Sequence, residues 1–281
     1  MPYVKPDAVV EQMVQMGAQK SRLPVHDLLV RGFLSGALLG FATTLAFTAS
    51  LQTRVGLVGA LVFPVGFVMI VLLGLELVTG NFALVPLAVR EARTSPGALL
   101  GNWGWVFLAN LLGAAFYAVL FTATLAPDSE MAKQLASVAD AKTLGYARLG
   151  ARGRAMALGR GILCNWMVTL GIVMALTSQS TVGKIAAMWL PILTFFAQGF
   201  EHSVVNMFVI PAGMLLGARV GPGEWWLWNQ LPVTVGNVIG GLVFTGLALH
   251  VTHRQAPARE LPRATAVALG GEMHGALSHR S

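Results

Sequence analysis

"AQGFEHSVVNMFVIP", residues 197–211, sets Glu201 and His202 side by side inside a long apolar stretch. Removing a carboxylate and an imidazole from water is costly unless each finds a partner or a wet cavity. The rest of the chain says which medium surrounds them. Of 281 residues 55% are hydrophobic and 11% charged, and the mean hydropathy is +0.68. A soluble domain carries about 25% charged residues. Several windows of nearly twenty residues hold almost no charge, enough to cross a hydrocarbon layer about 30 Å thick. The chain reads as an all-α integral membrane protein.

Hydropathy marks six transmembrane helices, near 28–50, 56–89, 101–126, 156–178, 186–217 and 227–251. The second and fifth are too long to be single straight helices, and each is broken, at "GLELVTGNF" (74–82) and at "GFEHSVVNMF" (199–208). Residues 1–27 are expected as a mildly amphipathic cytoplasmic segment at the membrane surface, and residues 252–281 as a disordered cytoplasmic tail. An even number of spans puts both termini on one side. The basic residues of the tails, with Arg90, Arg93 and Lys184, favour the cytoplasmic face of the cell's inner (plasma) membrane for that side. The net charge of +7 is spread over loops and tails, which suits the headgroups of membrane lipid and not a nucleic-acid partner. The single cysteine, Cys164, excludes an intramolecular disulfide, and no ligand spacing for a metal and no cofactor motif is visible.

The two halves of the chain resemble each other. Gly36, Gly40, Thr44 and Leu45 are matched 125 residues later by Gly161, Asn165, Thr169 and Leu170, and Glu76 and Asn81 by Glu201 and Asn206. Asn102 and Asn110 are matched by Asn229 and Asn237 at an offset of 127. Three spans per copy is an odd number, so the second copy must enter the membrane upside down. Inverted repeats with paired broken helices belong to transport proteins. Shared by both copies, Glu76 and Glu201 are expected to be scaffold, accepting hydrogen bonds from amides freed at the breaks. Asn81, Asn165, Asn206 and Asn237 are expected to bond between helices. His202 breaks the repeat, because its counterpart is Leu77. With an ordinary pKa of about 6.5 it can donate a hydrogen bond or hold a proton. Thr79 is the hydroxyl expected opposite it, and a satisfied core histidine is the plainer alternative. Lys184, in "STVGKIAAMW", is either a snorkelling lysine at a span end or a lure for anions in a vestibule.

These segments together resemble the formate/nitrite transporter family over roughly residues 25–250. The strongest likenesses are "GLELVTGNF", "GILCNWMVTLGIVMA" (161–175) and "GFEHSVVNMFVIP", supported by "NWGWVFLANLLG" (102–113) and "VTVGNVIGG" (233–241). The resemblance implies an aquaporin-like fold assembled as a homopentamer, with one pore per protomer. It implies that His202 faces Thr79 in the pore, that Asn237 is the pore asparagine and that Lys184 is the vestibule lysine. It implies apolar gates at Phe63, Phe67, Leu77, Val78 and Phe195, although formate channels of the family often carry an aromatic residue where this chain has Val78. The implied activity is passage of a small monovalent weak-acid anion, by attraction into basic vestibules, hydrophobic gating and (de)protonation at His202. Formate comes first, because "NMFVIP" (206–211) resembles the formate-type members, with nitrite, hydrosulfide and acetate as alternatives. A neutral-solute channel is the rival of another class, but it would resemble paired NPA loops, which the chain lacks. An enzyme using Glu201 and His202 together is disfavoured, because adjacent helical side chains point about 100° apart.

Overall fold

The computed structural model describes residues 3–254, and all regular elements among them are helices. In chain order these are α1 (Pro6–Ser21), α2 (Val25–Thr53), α3 (Gly56–Val62), α4 (Pro64–Leu72), α5 (Val78–Arg90) and α6 (Pro96–Thr122). They continue as α7 (Glu130–Lys142), α8 (Leu144–Ala147), α9 (Ala151–Leu176), α10 (Thr181–Ala197) and α11 (Ser203–Leu215). The last helix, α12 (Pro222–His253), contains π-helical turns at Trp226–Gln230 and Leu242–Leu247.

Four of them, α2, α6, α9 and α12, are long and apolar enough to cross a membrane. Small residues decide how they pack. A Cβ on Gly113 of α6 would lie 1.9 Å from the carbonyl oxygen of Phe33 in α2, and one on Gly240 of α12 would lie 2.3 Å from that of Ile162 in α9. Lipid tails are as apolar as leucine, so close backbone contact, not escape from water, joins such helices. The other face of α2 carries Val30, Leu34, Phe41 and Leu45 at helical spacing, all exposed. Large apolar side chains turned outward are what a lipid-facing or subunit-facing surface requires.

The segments expected as the second and fifth spans are each divided. Gly74 and Gly199 stand at the breaks with φ of +64° and +65°, a left-handed conformation that costs a residue with a Cβ about 1–2 kcal/mol. The chain then runs extended through Leu77 (φ −115°, ψ 117°) and His202 (φ −104°, ψ 118°) before α5 and α11 begin. Both 13-residue half-helices thus point their N-termini, the positive ends of their dipoles, at the breaks.

One register differs from the sequence reading. At the breaks the offset is 125, but α2 and α9 correspond at 129. Asn110 donates to Gly32 O while Asn237 donates to Gly161 O, and Gly113 meets Phe33 where Gly240 meets Ile162. The discrepancy is four residues, about one helical turn. Small residues spaced one turn apart fall on the same face, so either register aligns them.

Residues 6–21 form a helix docked on the body of the protein. It buries Val9, Val10, Met13 and Val14 and packs against α5. Its Glu11 accepts from Arg254, which also donates to Glu91 at 2.9 Å, and His250 lies 2.6 Å from Glu91. The Arg254 guanidinium, and then His250, hold the Glu91 carboxyl below the usual carboxylate range. This cluster ties α1 and the end of α12 to one end of the molecule. Residues 252 and 253 still belong to α12; the tail expected beyond them lies, from residue 255, outside the described residues.

Candidate transport site at the helix breaks

Thr79 Oγ1, in the first turn of α5, lies 3.2 Å from Nε2 of His202, the residue that caps α11. The two breaks meet there. The His202 Nδ1 atom accepts the amide hydrogens of Val204 and Val205, at 3.2 and 3.3 Å. A nitrogen that accepts carries no proton, so the neutral ring keeps its hydrogen on Nε2, aimed at Thr79. An imidazolium would point a second N–H at two amide N–H groups and lose the cap. In this arrangement the ring has one N–H to offer, at Nε2.

Two asparagines hold the breaks in shape. The Asn110 Oδ1 atom accepts from Val78 N, and its Nδ2 donates to Gly32 O and Glu76 O. Asn237 repeats the pattern on Ser203 N, Gly161 O and Glu201 O, at 2.9, 2.8 and 2.9 Å. Both N–H hydrogens of Asn237 are therefore spent on backbone carbonyls. Asn237 thus bonds between segments, as expected of the break asparagines, and anchors the second break.

The break carboxylates also differ from expectation, since they accept from side chains and not from freed amides. Glu76 accepts from Lys20 at 2.7 Å and from Asn81 at 2.8 Å. Asn81 also donates to Asn102, which reaches back to Lys20 O. Glu201 accepts from Lys142, Asn206 and the Tyr146 hydroxyl at 2.7, 2.8 and 2.7 Å, while Asn206 donates to Asn229 and Asn229 to Lys142 O. Both carboxylates are 2% exposed or less, so the lysines supply the opposite charge that burial demands. Lys184 takes no part. It sits in the first turn of α10 and forms no ion pair among the described residues. The lysines at the breaks are Lys20 and Lys142. Neither carries a local signal, because each is brought in from a segment more than fifty residues away from its glutamate. Asn165 joins the two halves by donating to Thr79 O and Asn237 O.

Apolar side chains pack around His202 and the first break. Phe195 stacks on its ring with centroids 5.8 Å apart and meets Phe63 edge-on at 5.6 Å. Phe67 and Leu77 line a cavity of about 260 Å³ that reaches the first break from the α1 end, beside Lys20, Arg31 and Glu76. Val78 is fully buried at the start of α5. Each of these five residues is 4% exposed or less.

The family model described as "Formate/nitrite transporter" matches residues 7–251. A protein of Methanothermobacter thermautotrophicus named "Probable formate transporter" is 39% identical over 254 residues, covering 83% of this chain and 91% of that protein. Among solved structures, an "FNT family ion channel" superposes with a TM-score of 0.76 at 29% identity, over 89% of this chain and 99% of that one. A "Pentameric formate channel with formate bound" superposes with a TM-score of 0.66 over 82% of this chain and 97% of that one; at 22% identity it speaks for the fold. The match runs through both breaks and all four long helices: this chain belongs to the formate/nitrite transporter family, whose members are channels and transporters and not enzymes.

Proposed function

We propose that the protein conducts a small monovalent weak-acid anion, formate foremost, through a pore that passes between Thr79 and His202 in each protomer of a homopentamer. The chain would cross the plasma membrane six times in two inverted halves, with α3–α4–α5 and α10–α11 as broken spans and both termini cytoplasmic. The observation that carries this reading is the Thr79–His202 pair, at 3.2 Å, flanked by buried Phe195, Phe63, Phe67 and Leu77. Two half-helix N-termini and one N–H converge there, which favours an oxygen anion or its acid over a cation. The names of the related protein and of the pentameric channel support formate and the pentamer.

The steps follow from charge and water. The positive N-terminal ends of α5 and α11, with Lys20 and Lys142 offsetting the charge of Glu76 and Glu201, admit the anion from the two vestibules. Crossing the phenylalanine and leucine side chains as an ion would strip its water at a cost of several kcal/mol. Desolvation raises the pKa of a carboxylic acid, so at the constriction the anion takes a proton from hydronium of the vestibule, leaving water behind. His202 Nε2–H and the Thr79 hydroxyl then hold the acid's oxygens while it passes. Chloride has no stable neutral form to use, which excludes it.

Labelled flux into proteoliposomes tests this. Formate is expected to enter at rates far above glycerol and chloride, and Phe195→Ala is expected to admit larger weak acids or chloride through a wetter constriction. Equal entry of glycerol and formate in the wild type would instead favour a neutral-solute channel.

A further inference from the structure

The offset of 129 between α2 and α9 exposes a pairing that the sequence alignment at 125 concealed: Arg31 corresponds to Arg160. Arg31 lines the cavity on the α1 side and donates to Asp27 at 3.2 Å, an ion pair one turn away on its own helix. Arg160 lies toward the other end, since the C-terminal end of α9 is the one bonded to Val4. Its main-chain oxygen accepts from Glu201 N at 3.3 Å, which places it at the second break. On α9 it shares a face with Ala157 and Cys164, both fully buried, yet Arg160 is itself exposed. An exposed arginine on the inward face of a spanning helix opens into water inside the protein and not into lipid.

The guanidinium is held in place by one neutral partner. Its Nη1 donates to the Tyr146 hydroxyl at 3.1 Å, and the ring of Tyr146 lies 5.9 Å away. Tyr146 spends its own hydrogen on Glu201. The remaining Arg160 donors meet no acid among the described residues. The charged groups around the two breaks therefore differ in balance. Lys20, Arg31, Glu76 and Asp27 give two charges of each sign. Lys142, Arg160 and Glu201 give two positive and one negative, and nearby Asp140 and Arg219 add one of each.

We propose that Arg160 is the anion-receiving residue of the outer vestibule, taking a small carboxylate through its planar N–H fork, and that it makes the two entrances unequal. Arg31, its counterpart, is kept from that role by Asp27. This rests on the function proposed above. A guanidinium matches a carboxylate with two parallel hydrogen bonds and stays charged at every physiological pH. Its field is felt within a Debye length of about 8 Å at physiological salt.

The test compares formate entry from the outer side, in right-side-out membrane vesicles, with entry from the inner side, in inverted ones. Arg160→Gln, which can still bond Tyr146, is expected to raise KM for outer entry about three- to tenfold, the size of one unscreened charge near the path, with the maximal rate little changed. Inner entry should keep its KM, and the outer difference should vanish near 1 M salt, where the Debye length falls to about 3 Å. Asp27→Asn should lower KM for inner entry by releasing Arg31. Arg160→Lys, which keeps the charge but not the fork, should raise the outer KM less than Arg160→Gln does, which separates lost charge from lost folding. An unchanged outer KM in Arg160→Gln, or an equal rise on both sides, overturns the assignment. Wild-type vesicles that take up no formate would overturn the transport reading itself, and the arginine's role with it.

Discussion

His202→Phe is expected to lower formate flux by about two- to tenfold in a protein that still assembles, the loss of one hydrogen bond worth roughly 0.5–1.5 kcal/mol to a neutral cargo. Phenylalanine fits the aromatic stack with Phe195 but offers nothing to Thr79 or to the acid. It also leaves the amides of Val204 and Val205 without their cap. His202→Asn behaves differently in this account. Asparagine is among the best capping residues, so α11 keeps its start, and its side chain retains an N–H. Partial, still selective formate flux is therefore expected from His202→Asn. If the ring had to carry the proton itself, Asn would lose as much flux as Phe. Initial rates of labelled formate uptake, with size-exclusion profiles of both variants, separate these cases. Wild-type flux in His202→Phe would remove the histidine from the pathway.

Asn237→Leu is expected to prevent recovery of folded protein. The side chain is similar in size, but two buried backbone groups of the break, Ser203 N and Glu201 O, lose their partner together, and Gly161 O keeps only its helical bond. Each orphaned group costs about 1–3 kcal/mol, so the sum reaches the lower end of the margin of a typical fold, about 5–15 kcal/mol. Asn110→Leu should fail in the same way, since its three bonds at the first break are of the same kind. Yield and thermal unfolding in detergent read the effect. A stable, conducting Asn237→Leu protein would show that the break does not need its anchor.

The breaks were legible in the chain because glycine, a polar pair and asparagine interrupt otherwise apolar runs at Gly74–Asn81 and Gly199–Asn206. Their conformations match closely, down to the φ of the two glycines. His202 stood out because Leu77 occupies the corresponding place, and Thr79 was the nearest hydroxyl to set against it. The lysines were not legible. Lys20 lies on α1 and Lys142 at the end of α7, and only the packing of distant segments brings either to its glutamate. Lys184 drew attention because it starts an apolar helix, a position that suits either a snorkelling lysine or one facing a vestibule. The Arg31–Arg160 pairing stayed hidden because a slip of four residues in α2 preserves the small-residue face. Only the hydrogen bonds of Asn110 and Asn237 to Gly32 and Gly161 fix the register.

The central claim is that cargo crosses the constriction as a neutral acid, beside a histidine that stays neutral. The direct measurement is formate uptake into proteoliposomes under an imposed membrane potential, with internal pH followed at the same time. The account predicts one proton entering with each formate and an uptake rate that does not respond to the potential. Uptake that follows the potential and leaves internal pH unchanged would mean that the bare anion crosses, and would contradict it.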